Sequence, residues 1–354
     1  MRYVALDGLR GIAALTVVMS HFFGMIPDMP LYFKALAQTP LHIFWDGAAA
    51  VDLFFVLSGF CVALPYVANN ERKIRAIPFV IRRGFRLYPA YLAALLVCFV
   101  LKSYYICPPP EYMSEWGRSF WLWDSIGSYT LIKVLTLITN FDSRLLDPPS
   151  WSLVIEMRMA FILPLMFYIF RRLNLKKSIL LAVGLVSLSF LNRDVYGYFT
   201  FSYLFAFGIM LAKYRAAIAD YVENISAKQL KYYLLLSFIL YEGRFPFRKL
   251  LFNDGSEAVF HLATGLGSVL IIALLFRKDL GKYLSGKLGA FLGQISYSIY
   301  LLHFPLLLIL WGLNLSSLII LILTMALGLL LAYLVYRFIE LPLVTMGRYI
   351  SDRW

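Results

Sequence analysis

The chain predicts an all-α membrane protein: a polytopic helical bundle of about ten spans plus one short re-entrant or interfacial helix. Three observations carry that expectation. Hydrophobic residues fill 61% of its 354 positions and charged ones 15%, a balance no ordinary soluble domain shows. Several windows reach the roughly 20 apolar residues a helix needs to cross a bilayer, and the clearest, Leu315 to Tyr336, contains no charge. Segments of alternating polarity, the mark of a membrane barrel, are lacking.

The first predicted span, Gly8–Ile26, carries Arg10 and His21 internally and has no small-residue cleavage pattern beyond Phe23, so it reads as an uncleaved helix. The second, Gly47–Ala68, holds Asp52 near one end, and its Ser58-Gly59 pair suits close helix packing. Leu87–Ile106 follows the basic run Arg82-Arg83-Gly84-Phe85-Arg86. Residues 107–149, rich in Pro, Trp and Tyr, read as an outer-face cap around the short apolar stretch Tyr129–Phe141, which contains Lys133 and is assigned a re-entrant or interfacial position.

Ser150–Phe170 opens with Trp151-Ser152-Leu153 and carries Glu156 and Arg158. Ser178–Leu191, Tyr196–Ala212, Tyr232–Tyr241 with its flanks, Ala258–Phe276, Gly289–Trp311 and Leu315–Phe338 complete the set. Residues 1–354 form a single membrane domain, with no internal repeat, Gly/Ser linker or low-complexity tail.

A net charge of +13 raises nucleic acid as a partner, but retention of Lys and Arg in cytoplasmic loops explains it first. With ten spans, 23 of the 33 basic residues fall on one side and nine on the other, which places both termini in the cytoplasm. The lipid bilayer is therefore the expected partner and nucleic acid is not. Cys61, Cys98 and Cys107 form no close pair, so neither a disulfide framework nor a metal centre is expected.

Arg10 and His21 supply the first functional signal. Eleven helical steps of about 100° bring them within roughly 20° of one face, about 16 Å apart along the axis. Ionisable groups inside a span cost at least a few kcal/mol each, so two on one stripe imply a polar interior: a transporter, a channel or a membrane-embedded enzyme. Arg83 and Arg86 are neighbours on a helix face and could clamp a phosphate, or anchor the helix to lipid headgroups. Glu156 and Arg158 point about 200° apart, so Glu156 needs another partner, and His21 lies at a matching depth. A carboxylate orienting an imidazole recurs in acyl transfer. Asp52 could pair with His21 or Arg158. His303 reads as a hydrogen-bonded structural histidine, and His42 and His261 have weaker contexts.

The blocks Leu6-Asp7-Gly8-Leu9-Arg10-Gly11 with His21 in register, Val51-Asp52-Leu53-Phe54-Phe55-Val56-Leu57-Ser58-Gly59-Phe60 and Arg83-x-x-Arg86 resemble the acyltransferase-3 family of integral membrane O-acyltransferases. The resemblance continues through Trp151-Ser152-Leu153 with Glu156 and Pro164, through Ile295-Ser296-Tyr297-Ser298-Ile299-Tyr300-Leu301-Leu302-His303, and ends near Glu340-Leu341-Pro342. Ala160 stands where many relatives have Tyr.

The resemblance implies a stand-alone form of that family in a bacterial cytoplasmic (inner) membrane. It would move an acyl group from cytoplasmic acyl-CoA, acetyl-CoA first among the donors, to a hydroxyl of a cell-envelope or exported saccharide or glycolipid. Arg10 and His21 become its functional pair, with Arg10, Arg83 and Arg86 holding the donor's phosphates. His21 becomes the base or acyl carrier, with Glu156 or Asp52 orienting it. Trp116, Trp121, Trp123 and Tyr129 could stack on sugar rings or form an interfacial belt. The rival reading is a proton-coupled transporter that uses His21, Glu156 and Asp52 as a relay.

Overall fold

Every regular element among the described residues is helical, as the long apolar windows require. The computed structural model describes residues 3–27, 35, 39–68, 73–104, 110–120, 128–139, 141–145, 147–191, 199–243 and 256–353. Its main helices are α1 (Val4–Met25), α2 (Gly47–Val67), α3 (Ala76–Tyr104), α4 (Ser128–Thr136), α5 (Trp151–Arg172) and α6 (Leu175–Leu191). They continue with α7 (Ser202–Asn224), α8 (Ala227–Glu242), α9 (Ser256–Leu274), α10 (Lys278–Leu284), α11 (Lys287–Gly312), α12 (Ser317–Val335) and α13 (Leu341–Ser351). A π-helical turn, Tyr336–Glu340, joins the last two.

Among the described residues, seven helical segments are long and apolar enough to cross a membrane: α1, α2, α3, α5, α9, α11 and the continuous run from α12 through α13. This is a multi-pass membrane protein. Three further predicted spans are helical but fall outside that set. Helices α6 and α8, of 17 and 16 residues, rise only about 25 Å against a hydrocarbon core of about 30 Å. Helix α7 has the length, but Lys213, Arg215, Asp220 and Glu223 crowd its second half. Helix α4, nine residues long, is too short to span.

Helix α3 begins at Ala76, well before the expected entry at Leu87, so Arg82, Arg83 and Arg86 lie inside the helix rather than ahead of it. Acidic partners make that possible. Arg82 donates to Ser351 Oγ at 3.0 Å and pairs with Asp352, Arg83 meets Glu156, and Arg86 meets Glu340.

Backbone packing divides the chain into two compact units. One comprises residues 1–13, 37–75 and 161–293; the other comprises 14–36, 76–160 and 294–354. In the first, α2 and α7 pack most extensively, and Gly59 and Gly208 face the opposing backbone so closely that a Cβ on either would collide with it. The Ser58-Gly59 pair thus does serve close packing. Gly8 and Gly11 likewise admit Leu284 and Leu292, which explains both glycines of the Asp7-Gly8-Leu9-Arg10-Gly11 block. In the second unit, Phe22, Met25, Met113, Phe120, Phe304 and Trp311 share one buried cluster.

Candidate active site

In the second unit, the end of α1 and the middle of α11 bring two histidines together. His21 Nδ1 lies 2.7 Å from His303 Nε2, with the rings nearly parallel at 10° and their centroids 5.0 Å apart. His303 Nδ1 lies 3.1 Å from the carbonyl of Ile299, one turn earlier on its helix. That carbonyl can only accept, so in the neutral pair His303 carries its proton on Nδ1 and presents a lone pair at Nε2. His21 must then donate from Nδ1, which leaves its own Nε2 as the basic nitrogen.

Aromatic side chains frame the pair. Trp116 stacks on His21 at 5.8 Å between centroids, and Phe304 meets the same ring edge-on at 5.2 Å. Residues 110–120 are pinned to the end of α1, because Ser114 donates from Oγ to the Gly24 carbonyl at 2.6 Å and from its N–H to the Met25 carbonyl at 3.0 Å. Tyr112 donates its hydroxyl to the Trp311 carbonyl. Gly24 is required at this crossing, since a Cβ there would come within 2.8 Å of the Trp116 ring.

The same unit holds two arginine–carboxylate pairs. Arg83 Nη2 reaches Glu156 Oε2 at 2.7 Å. Arg86 pairs with Glu340, which is 1% exposed and also accepts from Ser298 Oγ at 2.8 Å. Glu340 ends the π turn, a kind of irregularity that recurs at functional positions. The Arg86 guanidinium lies 5.1 Å from the centre of the Tyr297 ring, whose hydroxyl donates to the Leu87 carbonyl. Tyr300 and Ser152 share a hydrogen bond at 2.8 Å above the Pro149 carbonyl. Tyr297, Tyr300 and His303 recur every three residues, so one side of α11 carries a polar stripe.

In the first unit, Arg10 Nη1 lies 3.5 Å from Asp7 Oδ1, and its Nη2 lies 3.4 Å from Cys61 Sγ. Asp52, 2% exposed, holds His261 Nδ1 with both oxygens at 3.0 and 2.8 Å.

These contacts revise the sequence-based pairings. Glu156, expected at the far end of its span from the arginine run, touches Arg83, because α3 starts early and α5 starts at Trp151 after the Pro148–Ser150 turn. The imidazole partner found for His21 is His303 rather than a carboxylate. Asp52, assigned to His21 or Arg158, holds His261. Arg158 avoids Glu156, as the helix geometry requires, and donates to the Ile138 carbonyl at 2.7 Å. Ser298, Tyr300 and Glu340 stand in the sequence blocks above without an assigned role; the three-residue spacing of Tyr297, Tyr300 and His303 marks the α11 stripe, whereas no local signal links Glu340 to it. Trp121 and Trp123, and the side chain of Tyr129, lie outside the described residues.

A protein of Acidianus two-tailed virus, ORF330, whose name carries a provisional acetyltransferase assignment, is 28% identical over 317 residues, covering 83% of this chain and 80% of its own. The O-acetyltransferase OatA of Staphylococcus aureus is 26% identical over 380 residues, covering 98% of this chain and 58% of its own length. Protein 2 in the picA locus of Rhizobium radiobacter is 39% identical over 110 residues, 30% of this chain and 47% of that one. The chain thus spans little more than half the length of OatA, and no solved structure matches it. The acyltransferase domain of the acyltransferase-3 family matches residues 3–337. With that match covering nearly the whole chain, including His21, Arg83, Glu156 and His303, the chain belongs to the acyltransferase-3 family and is an acyltransferase.

Proposed function

We propose that the protein is a membrane O-acyltransferase that moves an acyl group, acetyl first, from acyl-CoA to a hydroxyl of a cell-envelope or exported saccharide. The observation that carries this reading is the His21–His303 hydrogen bond, because the Ile299 carbonyl sets the tautomer that makes His21 Nε2 the base. His21 takes the acceptor's hydroxyl proton as that oxygen attacks the thioester carbonyl. The carbon–sulfur bond then breaks, and the departing CoA thiolate recovers the proton from the imidazolium. His303 accepts a hydrogen bond from His21 Nδ1 throughout, which stabilises the charged ring. Trp116, stacked on the imidazole, restricts water at the base and offers a flat face to a sugar.

Arg10, Arg83 and Arg86 are assigned to the donor's phosphates, with Glu156 and Glu340 orienting the last two. Asp52 acts through His261. Helices α6, α7 and α8 complete ten spans with both termini in the cytoplasm of a bacterial inner membrane, a topology supported by the division of basic residues, 23 against nine.

The test uses the full chain in lipid nanodiscs with radiolabelled acetyl-CoA and an envelope glycan extract, reading free CoA thiol and label on glycan. The expected result is CoA release matched by labelled glycan, both lost in His21→Ala. Solute accumulation in proteoliposomes without covalent change, or full labelling by His21→Ala, would overturn it.

A further inference from the structure

Away from His21, the first unit contains a second cluster that acyl transfer does not use. We propose that His42, Asp46 and Glu242 form a zinc site that clips the start of α2 to the end of α8. His42 sits in a 3-10 turn, Pro40–Phe44, whose start is capped by Thr39 accepting from the Leu41 N–H. Asp46 caps α2 and Glu242 closes α8. His42 and Glu242 are 200 residues apart in the chain, so no local spacing motif announces the set, and the expectation of no metal centre came from motif spacing alone.

The three side chains are close enough together to share one metal ion. Bonds of roughly 2.0–2.1 Å from zinc to nitrogen and oxygen separate neighbouring ligand atoms by about 3.3–3.4 Å. His42 Nδ1 lies 3.3 Å from Glu242 Oε2 and 3.7 Å from Asp46 Oδ2, and the three ligand atoms all lie within 4.8 Å of one another. Three protein ligands leave a fourth position for water.

Asp46 is already oriented for the task. Its Oδ1 accepts the Ala49 N–H at 2.9 Å, and this cap turns Oδ2 toward His42.

Two buried, unpartnered oxygens point to a cation independently of that geometry. Asp46 and Glu242 are each 4% exposed, and Asp46 Oδ2 and Glu242 Oε1 have no hydrogen-bond partner. Two carboxylates buried beside one imidazole form a cluster that a bound cation would satisfy. A divalent ion with two carboxylates and a neutral imidazole is balanced. The imidazole and the low ligand count favour zinc over calcium or magnesium, which take six or more oxygens.

The experiment uses the purified full chain in detergent, stripped with a chelator, dialysed and reloaded with zinc chloride. Mass spectrometry then counts bound metal, and thermal unfolding is followed with and without zinc. The expected result is about one zinc per chain and a rise of several degrees in Tm. Cobalt substitution should give the intense visible bands of a tetrahedral ion. Asp46→Asn keeps the helix cap, and Glu242→Gln keeps shape, so the double variant should fold, bind less than a tenth as much zinc and lose the zinc-dependent rise. No retained metal with an unmoved Tm in the wild-type chain, or equal binding by the double variant, overturns the site. The wild-type arm decides the question even if the variant fails to fold. Because activity is not the readout, the outcome is independent of the acyl-transfer proposal.

Discussion

Each compact unit holds two of the chain's four histidines, and the units treat them differently. In the first, His261 lies against Asp52 and His42 against Asp46 and Glu242. In the second, His21 and His303 face each other, while Glu156 and Glu340 hold arginines. A histidine held by a carboxylate has its ring fixed by that hydrogen bond or by a shared metal ion. A histidine held by another neutral histidine has a defined tautomer and no resident counter-charge, so its free nitrogen can take up and release a proton. The first arrangement suits holding a position, and the second suits moving a proton.

The largest effect expected from breaking that contrast is at His21. Replacing it with Ala should lower acyl transfer by about 10²- to 10⁴-fold with little change in Tm, read as CoA-thiol release. His303→Phe removes the acceptor at Nε2 and should cost an intermediate factor. His303→Gln, whose side-chain carbonyl can accept from His21, should recover part of the loss. Equal activity of the Phe and Gln variants would show that the bond does not set the tautomer.

Next in size are the arginine pairs, where the expected loss is of stability. Glu156→Ala leaves Arg83, whose side chain is only 12% exposed, without its carboxylate and should destabilise the fold by about 3–5 kcal/mol. Arg86 is 31% exposed and can turn to water when its partner is lost, so Glu340→Ala should cost less. Chemical denaturation in detergent ranks the two, and the reverse order would break the comparison. In the first unit, Asp52→Asn weakens the hold on His261 and should cost about 1–3 kcal/mol. A double-mutant cycle with His261→Ala should recover most of that loss as coupling.

Helical class, most span positions and the candidate groups were legible in the sequence because apolar windows and intramembrane charges are local signals. The seven segments able to span coincide with predicted ones, and Ser58-Gly59 announced its packing. Partner choice was not legible. Depth had been read from span boundaries, but α3 begins before its apolar window because each arginine in it has an acidic partner supplied from elsewhere in the chain. His261 and Glu242 escaped for the same reason: neither stands in a motif, and tertiary packing alone brings each to its partner.

Asp147 is the exception within the second unit and sharpens the comparison at its smallest scale. It lies just before α5, is fully buried, and neither carboxyl oxygen has a hydrogen-bond partner. Burial raises its pKa well above the usual carboxylate range, so the folded protein keeps this proton at pH values where the unfolded chain, titrating near 4, has released it. The sign follows from that difference. The contribution to stability is fullest below the unfolded value and declines as pH rises, by at most about 1.4 kcal/mol per pH unit, until the folded carboxyl ionises. Asp147→Asn is neutral at every pH and should remove this slope. Wild type and variant should therefore have similar Tm in mild acid, and the variant should gain an advantage as pH rises. Parallel Tm curves across the range would mean that Asp147 is compensated in the fold, which would return it to the pattern followed by Glu156 and Glu340.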